Sequence, residues 1–141
     1  MIIAIDFDGT CVTHEFPAIG KDIGAVPVLK ELVKNGHQLV LFTMRSDIAE
    51  SEKNNEEMLI RPGNYLTDAI NWFKRHEIPL YDIQKNPTQH TWTTSPKAYA
   101  DLYIDDSALG CPLSRLMEEP RPFVDWKKVK ELLKGLGLLK Q

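Results

Sequence analysis

Asp6 and Asp8 stand two positions apart where the apolar run Ile2-Ile3-Ala4-Ile5 breaks into Gly9 and Thr10. A carboxylate at such a break can serve as a nucleophile, a metal ligand or a proton carrier. Taken alone, Asp-x-Asp-Gly also suits an ordinary turn or a calcium loop. Other polar residues end apolar runs in the same way. Thr43 follows Leu39 to Phe42, and the pair Asp105-Asp106 follows Ala100 to Ile104. Lys97 lies just ahead of that last run, close enough to add a cation to the carboxylates.

The elements that must hold these residues follow from hydrophobic periodicity. Four consecutive apolar residues at the start suit a strand buried on both faces, as in a parallel sheet covered by helices. Val26, Leu29, Leu32 and Val33 recur at helical spacing, Pro27 is tolerable in a first turn, and Asn35-Gly36 is a stop signal, so a helix is expected over 24–35. Gln38 to Phe42 is expected as a second strand. Leu66, Ala69, Ile70 and Phe73 mark a second helix that ends before Pro79. Tyr81 to Gln84 and Ala100 to Ile104 read as the third and fourth strands, and Phe123-Val124 as a short fifth. Asp125 is placed to cap a final helix with the stripe Val129, Leu132, Leu133 and Leu136. Alternating strands and helices predict one α/β domain over 1–141, a three-layer Rossmann-like fold with a central parallel sheet. Its strand ends would share one edge, where open parallel sheets bind ligands.

Four motifs in this order resemble the haloacid dehalogenase superfamily. Asp6-Phe7-Asp8-Gly9-Thr10 matches its first motif, Thr43 its second, Lys97 its third, with Lys85 as the competing lysine, and Tyr103-Ile104-Asp105-Asp106 its fourth. The resemblance runs from residue 2 to about 106 and implies a magnesium-dependent phosphatase. Asp6 would be the nucleophile and a metal ligand, and Asp8 the proton carrier, with its backbone carbonyl on the metal. Asp106 is favoured as the further direct ligand over Asp105, which would orient the site or hold a water. Thr43 and Lys97 would hold the phosphoryl group.

Members of that superfamily usually carry a cap domain after the first motif or between the second and third. The stretch 12–24 is too short for one. The polar stretch Arg45 to Pro62, with Asp47, Glu50, Glu52, Lys53, Glu56, Glu57 and Arg61, suits a short helix or an irregular lid. A capless, haloacid dehalogenase-like enzyme is therefore implied. Its open site goes with large phosphorylated substrates or with a cap supplied by a homo-oligomer, although small phosphate esters and nucleotides also fit. Gly9, Thr10, Arg45, His90 and Trp92 are the candidates for substrate contact, the last two from the loop Asn86 to Pro96 that leads into Lys97.

Composition narrows the remaining classes. With 141 residues, 43% hydrophobic and 26% charged, the chain is ordinary for a single globular domain with a real core. A net charge of −3 offers no general attraction to nucleic acid. No apolar run reaches membrane-spanning length and no signal peptide is read, so a cytoplasmic protein is expected. Cys11 and Cys111 read as reduced structural thiols. His14, His37, His76 and His90 show no metal-ligand spacing and are read as non-catalytic, with His14 and His90 on the active-site side. Two other readings are a catalytically silent binding module and a phospho-accepting signalling domain. The order of the acidic motifs argues against the receiver type of the latter.

Overall fold

The computed structural model describes residues 1–52 and 60–141. Its centre is a parallel sheet of four strands, β1 (Ile2–Ile5), β2 (Gln38–Leu41), β5 (Asp82–Ile83) and β6 (Leu102–Ile104), in the order β5-β2-β1-β6. The helices are α1 (Ala25–Lys34), α2 (Tyr65–Arg75) and α3 (Trp126–Gly135). Two antiparallel ribbons complete the fold. One pairs β3 (Asp47–Ile48) with β4 (Gly63–Asn64), the other β7 (Leu113–Ser114) with β8 (Phe123–Val124). The class is α/β, layered and Rossmann-like, with no inserted cap domain among the described residues.

Strand alternation separates two faces. Ile3, Ile5, Leu39 and Leu41 join one core cluster with Leu29 of α1, Phe73 of α2 and Leu133 of α3, so all three helices cover the same face. Phe7 anchors the cluster from the loop after β1, edge-on to Trp72 with ring centroids 5.6 Å apart. Burying such a side chain contributes about 1.5–3 kcal/mol. Ala4 and Val40, also buried, point to the other face. That face carries the loop expected over Asn86 to Pro96. The connection from β5 back to β6 reverses direction across the sheet, so a right-handed crossover must run over the opposite face. It holds no α-helix, only a 3-10 turn at Gln89–Thr91. Pro87 and Pro96 interrupt a Thr- and Ser-rich stretch, and the buried Gln89 amide takes over the hydrogen bonding. It donates to Ser95 and Lys97 carbonyls and accepts from the Asn86 and Tyr99 backbone N–H groups.

Helix ends follow their sequence signals. At the close of α1, Gly36 takes φ +89°, Gly36 N–H donates to Val33 and His37 N–H to Leu32, closing the last carbonyls. Asp125 caps α3 by accepting from Lys128 N–H, as expected. Leu132 and Leu136 of its stripe are exposed, so the buried face is Trp126, Val129 and Leu133. Asn64 makes no side-chain cap for α2. Asp47 of β3 does that work from a distance, accepting from Thr67 N–H at 2.9 Å and Thr67 Oγ1 at 2.6 Å. The fifth expected strand, Phe123-Val124, forms but pairs with Leu113-Ser114, outside the main sheet. Of the polar stretch 45–62, the described part is β3 and a 3-10 turn at Glu50–Glu52 on one side and residues 60–62 on the other. Lys53, Glu56 and Glu57 lie outside the described residues. Both cysteines are free thiols, and Cys11 is fully buried. Among the described residues no helix is long and apolar enough to cross a membrane.

Candidate active site

Strand register brings the polar strand ends together. Ile5 pairs with Leu41 on one side and Ile104 on the other, so Asp6, Phe42 and Asp105 are the next residues along one edge. Asp6 N–H donates to Ile104 and Phe42 N–H to Ile5, carrying the ladder one step further. The result is a carboxylate cluster. Oxygens of Asp6, Asp105 and Asp106 all lie within 4.8 Å of one another. Burial, then the negative charge of Asp105, pushes the Asp6 carboxyl up to about 8, and burial raises Asp105 as well. Three hard oxygen donors gathered this closely fit a divalent cation such as magnesium, which would relieve their repulsion. Both members of the Asp105-Asp106 pair belong to this set.

Thr10 holds the cluster from below. Its hydroxyl is 2.8 Å from Asp6 Oδ2 and 3.3 Å from Asp106 Oδ1, and accepts from the Asp106 N–H at 3.1 Å. Its carbonyl in turn receives the Trp126 indole N–H at 2.7 Å, tying α3 to the loop. Thr10 is completely buried, so it positions the carboxylates and does not touch substrate, contrary to the sequence expectation. Gly9 is corrected likewise. Its N–H is held by the Val12 carbonyl and so is not free for a ligand, its own carbonyl accepts from Val124 N–H, and it does not line the cleft. The glycine is needed for another reason. At φ +79°, an added Cβ would lie 2.0 Å from His14 Nε2 and 2.7 Å from Asp106 Oδ2.

Arg45 also differs from expectation. Its side chain is 1% exposed and points inward, with Nε donating to Asp8 Oδ2 and Nη2 to Asp8 Oδ1, each at 2.8 Å. The remaining donors reach the Pro17, Ala18 and Tyr65 carbonyls, and the guanidinium lies 5.1 Å from the Phe7 and Phe16 ring centroids. No donor is left for substrate, so Arg45 is a fastening between the first and second motifs.

Thr43 stands where expected, beside the carboxylates in a cleft of about 460 Å³ that also includes Asp6, Asp8 and the Asp105-Asp106 pair. Its hydroxyl accepts from Arg45 N–H at 3.1 Å, which leaves its own proton to donate. Gln84, at φ +66°, frames it by donating to the Thr43 carbonyl at 2.6 Å and accepting from Thr43 N–H at 2.9 Å. Lys97 is not brought into the cluster. It is exposed, and its ammonium sits 5.4 Å from the Tyr103 ring centroid on the far face of the sheet. Lys85 is exposed too and does not line the cleft. His90 and Trp92 belong to the crossover segment, where Trp92 packs edge-on against Tyr99, and neither lines the cleft.

Sequence reasoning gave His14 no contact with the cluster and passed over Gln84 and Trp126, which brace Thr43 and Thr10. His14 Nε2 lies 2.9 Å from Asp106 Oδ2 and lines the cleft. Its only signal was proximity to the first motif.

The chain is similar to a conserved protein from Bacteroides thetaiotaomicron of known structure, at 33% sequence identity and a TM-score of 0.70, covering 96% of this chain and 91% of that one. No protein-family model matches the chain, and no curated protein matches it.

Proposed function

This chain belongs to one family with the conserved Bacteroides thetaiotaomicron protein, and we propose that it is a haloacid dehalogenase-type hydrolase of phosphate monoesters acting through Asp6. The observation that carries this reading is the Asp6, Asp105 and Asp106 cluster at the strand ends, flanked by Thr43 and Asp8 in one cleft. Asp6, Asp105 and Asp106, with the Asp8 carbonyl, would hold a magnesium ion, which supplies the positive charge that lets a carboxylate approach an anionic phosphate.

The chain's own residues account for the steps. An Asp6 oxygen attacks phosphorus while the bond to the leaving oxygen breaks, and Asp8, once one of its bonds to Arg45 opens, gives that oxygen its proton. A water then attacks the aspartyl-phosphate, Asp8 takes its proton, and free phosphate and Asp6 are regenerated. Thr43 donates its hydroxyl to a phosphoryl oxygen. Thr10 fixes the direction of Asp6. Lys97 has no part here unless it leaves Tyr103. The open cleft, with exposed Phe16, Met44 and Ile60 at its rim, admits either a small phosphate ester or a phosphorylated macromolecule.

The Arg45 clamp on Asp8 favours one alternative, a phospho-accepting domain. A carboxylate accepting at both oxygens from one guanidinium transfers no proton until a bond opens, which would slow release from Asp6. Turnover separates the two. With magnesium and an aryl phosphate, the hydrolase reading expects many phosphates released per chain and none from Asp6→Asn. A single equivalent would favour the phospho-acceptor, and equal activity in the variant would remove Asp6 as nucleophile.

A further inference from the structure

Resting on the phosphatase reading, we propose that Arg121 is the cation that grips the phosphoryl group at Asp6. A phosphate ester entering this cleft meets Asp6, Asp8, Asp105 and Asp106, and needs a fixed positive partner besides any metal ion. Among the described residues, Arg45 and Arg121 are the cations that line the cleft, apart from any charge on His14. The Arg45 guanidinium is consumed by Asp8 and three backbone carbonyls, and Lys97 lies over Tyr103. Arg121 is exposed in the cleft wall and makes no hydrogen bond or ion pair among the described residues.

Its mount is rigid. Arg121 lies between Pro120 and Pro122, which restrict the backbone on both sides. On one flank the buried Glu119 accepts from Lys21 Nζ at 2.7 Å. On the other, Phe123 is buried and Val124 N–H donates to the Gly9 carbonyl at 2.9 Å, hanging the segment from the very loop that presents Asp6 and Asp8. A guanidinium so placed offers the paired donors that suit phosphate oxygens. No motif marks it, because it comes from the β7–β8 ribbon, beyond the four motif positions.

The test is inorganic phosphate binding by calorimetry with magnesium present, beside the kinetics of aryl phosphate hydrolysis. Losing charge-assisted bonds to one group corresponds to about tenfold to a hundredfold. Arg121→Ala is expected to weaken phosphate binding by that factor and to raise KM, and Arg121→Lys to restore part of both. Arg115→Ala, on the same ribbon outside the cleft, should match the wild type. Unchanged thermal unfolding of Arg121→Ala would show that the fold is intact. If Arg121→Ala binds phosphate and turns over aryl phosphate like the wild type, the proposal falls while the phosphatase reading stands. If the wild type neither binds nor hydrolyses, both fall.

Discussion

Arg45 and Asp8 form a two-point ion pair, Nε to Oδ2 and Nη2 to Oδ1, each at 2.8 Å, with the arginine side chain almost wholly enclosed. The pair joins the end of β2 to the loop after β1, and the spare donors fasten residues 17 and 18 and the start of α2. One side chain thus sets the cleft wall and restrains the residue assigned to proton transfer.

Arg45→Met should leave Asp8 without its partner and cost about 3–5 kcal/mol of stability. Arg45→Lys should recover little, since an ammonium reproduces neither the two-point contact nor the three carbonyl contacts. Urea unfolding of the three proteins checks this, and a lysine variant as stable as the wild type would show the fork geometry to be unimportant.

The Asp6 carboxyl, raised to about 8 from an ordinary value of 3.8, makes cation-free stability depend on pH. Between those values the folded chain holds a proton that the unfolded chain has released, so this group's contribution is full at the acid end and lost as pH rises toward 8. A magnesium ion bound at Asp6 would have to displace that proton, so its stabilising effect should grow over the same range. Thermal unfolding at about pH 5 and about pH 8, with and without magnesium, should show a larger magnesium shift at the higher pH. Asp6→Asn should flatten the metal-free pH dependence and shrink the magnesium shift.

Gly9→Ala should be far more disruptive than its size suggests. The new methyl meets the His14 ring and the Asp106 carboxylate, and φ +79° is strained for alanine. A loss of about 1–3 kcal/mol is expected, with weakened magnesium binding because Asp106 must move. Calorimetric titration with magnesium and denaturant unfolding would measure both, and unchanged metal affinity would show that the cluster tolerates displacement.

Much of the site was legible because strand ends in a parallel sheet are fixed by register. Once Ile5, Leu41 and Ile104 were placed on adjacent strands, Asp6, Thr43 and the Asp105-Asp106 pair had to converge. What escaped depends on partners distant in sequence. Arg45 reads as a candidate for substrate contact until it is seen against Asp8, and nothing in the sequence marks Trp126, whose indole N–H is found on the Thr10 carbonyl. The crossover between β5 and β6 reads as a loop, but its internal order escapes, because it comes from Gln89 hydrogen bonds that leave no periodic signal. Lys97 was placed by order along the chain, and the fold put it over Tyr103 instead.

The central claim is that the Asp6 carboxylate bonds to phosphorus. Trifluoroberyllate mimics a phosphoryl group on such a carboxylate, so fluorine NMR of the protein with beryllium, fluoride and magnesium reads the claim directly. The account predicts protein-bound fluorine resonances in the wild type that are absent from Asp6→Asn. Bound resonances of equal intensity in the variant, or none in the wild type with magnesium saturating, would contradict it.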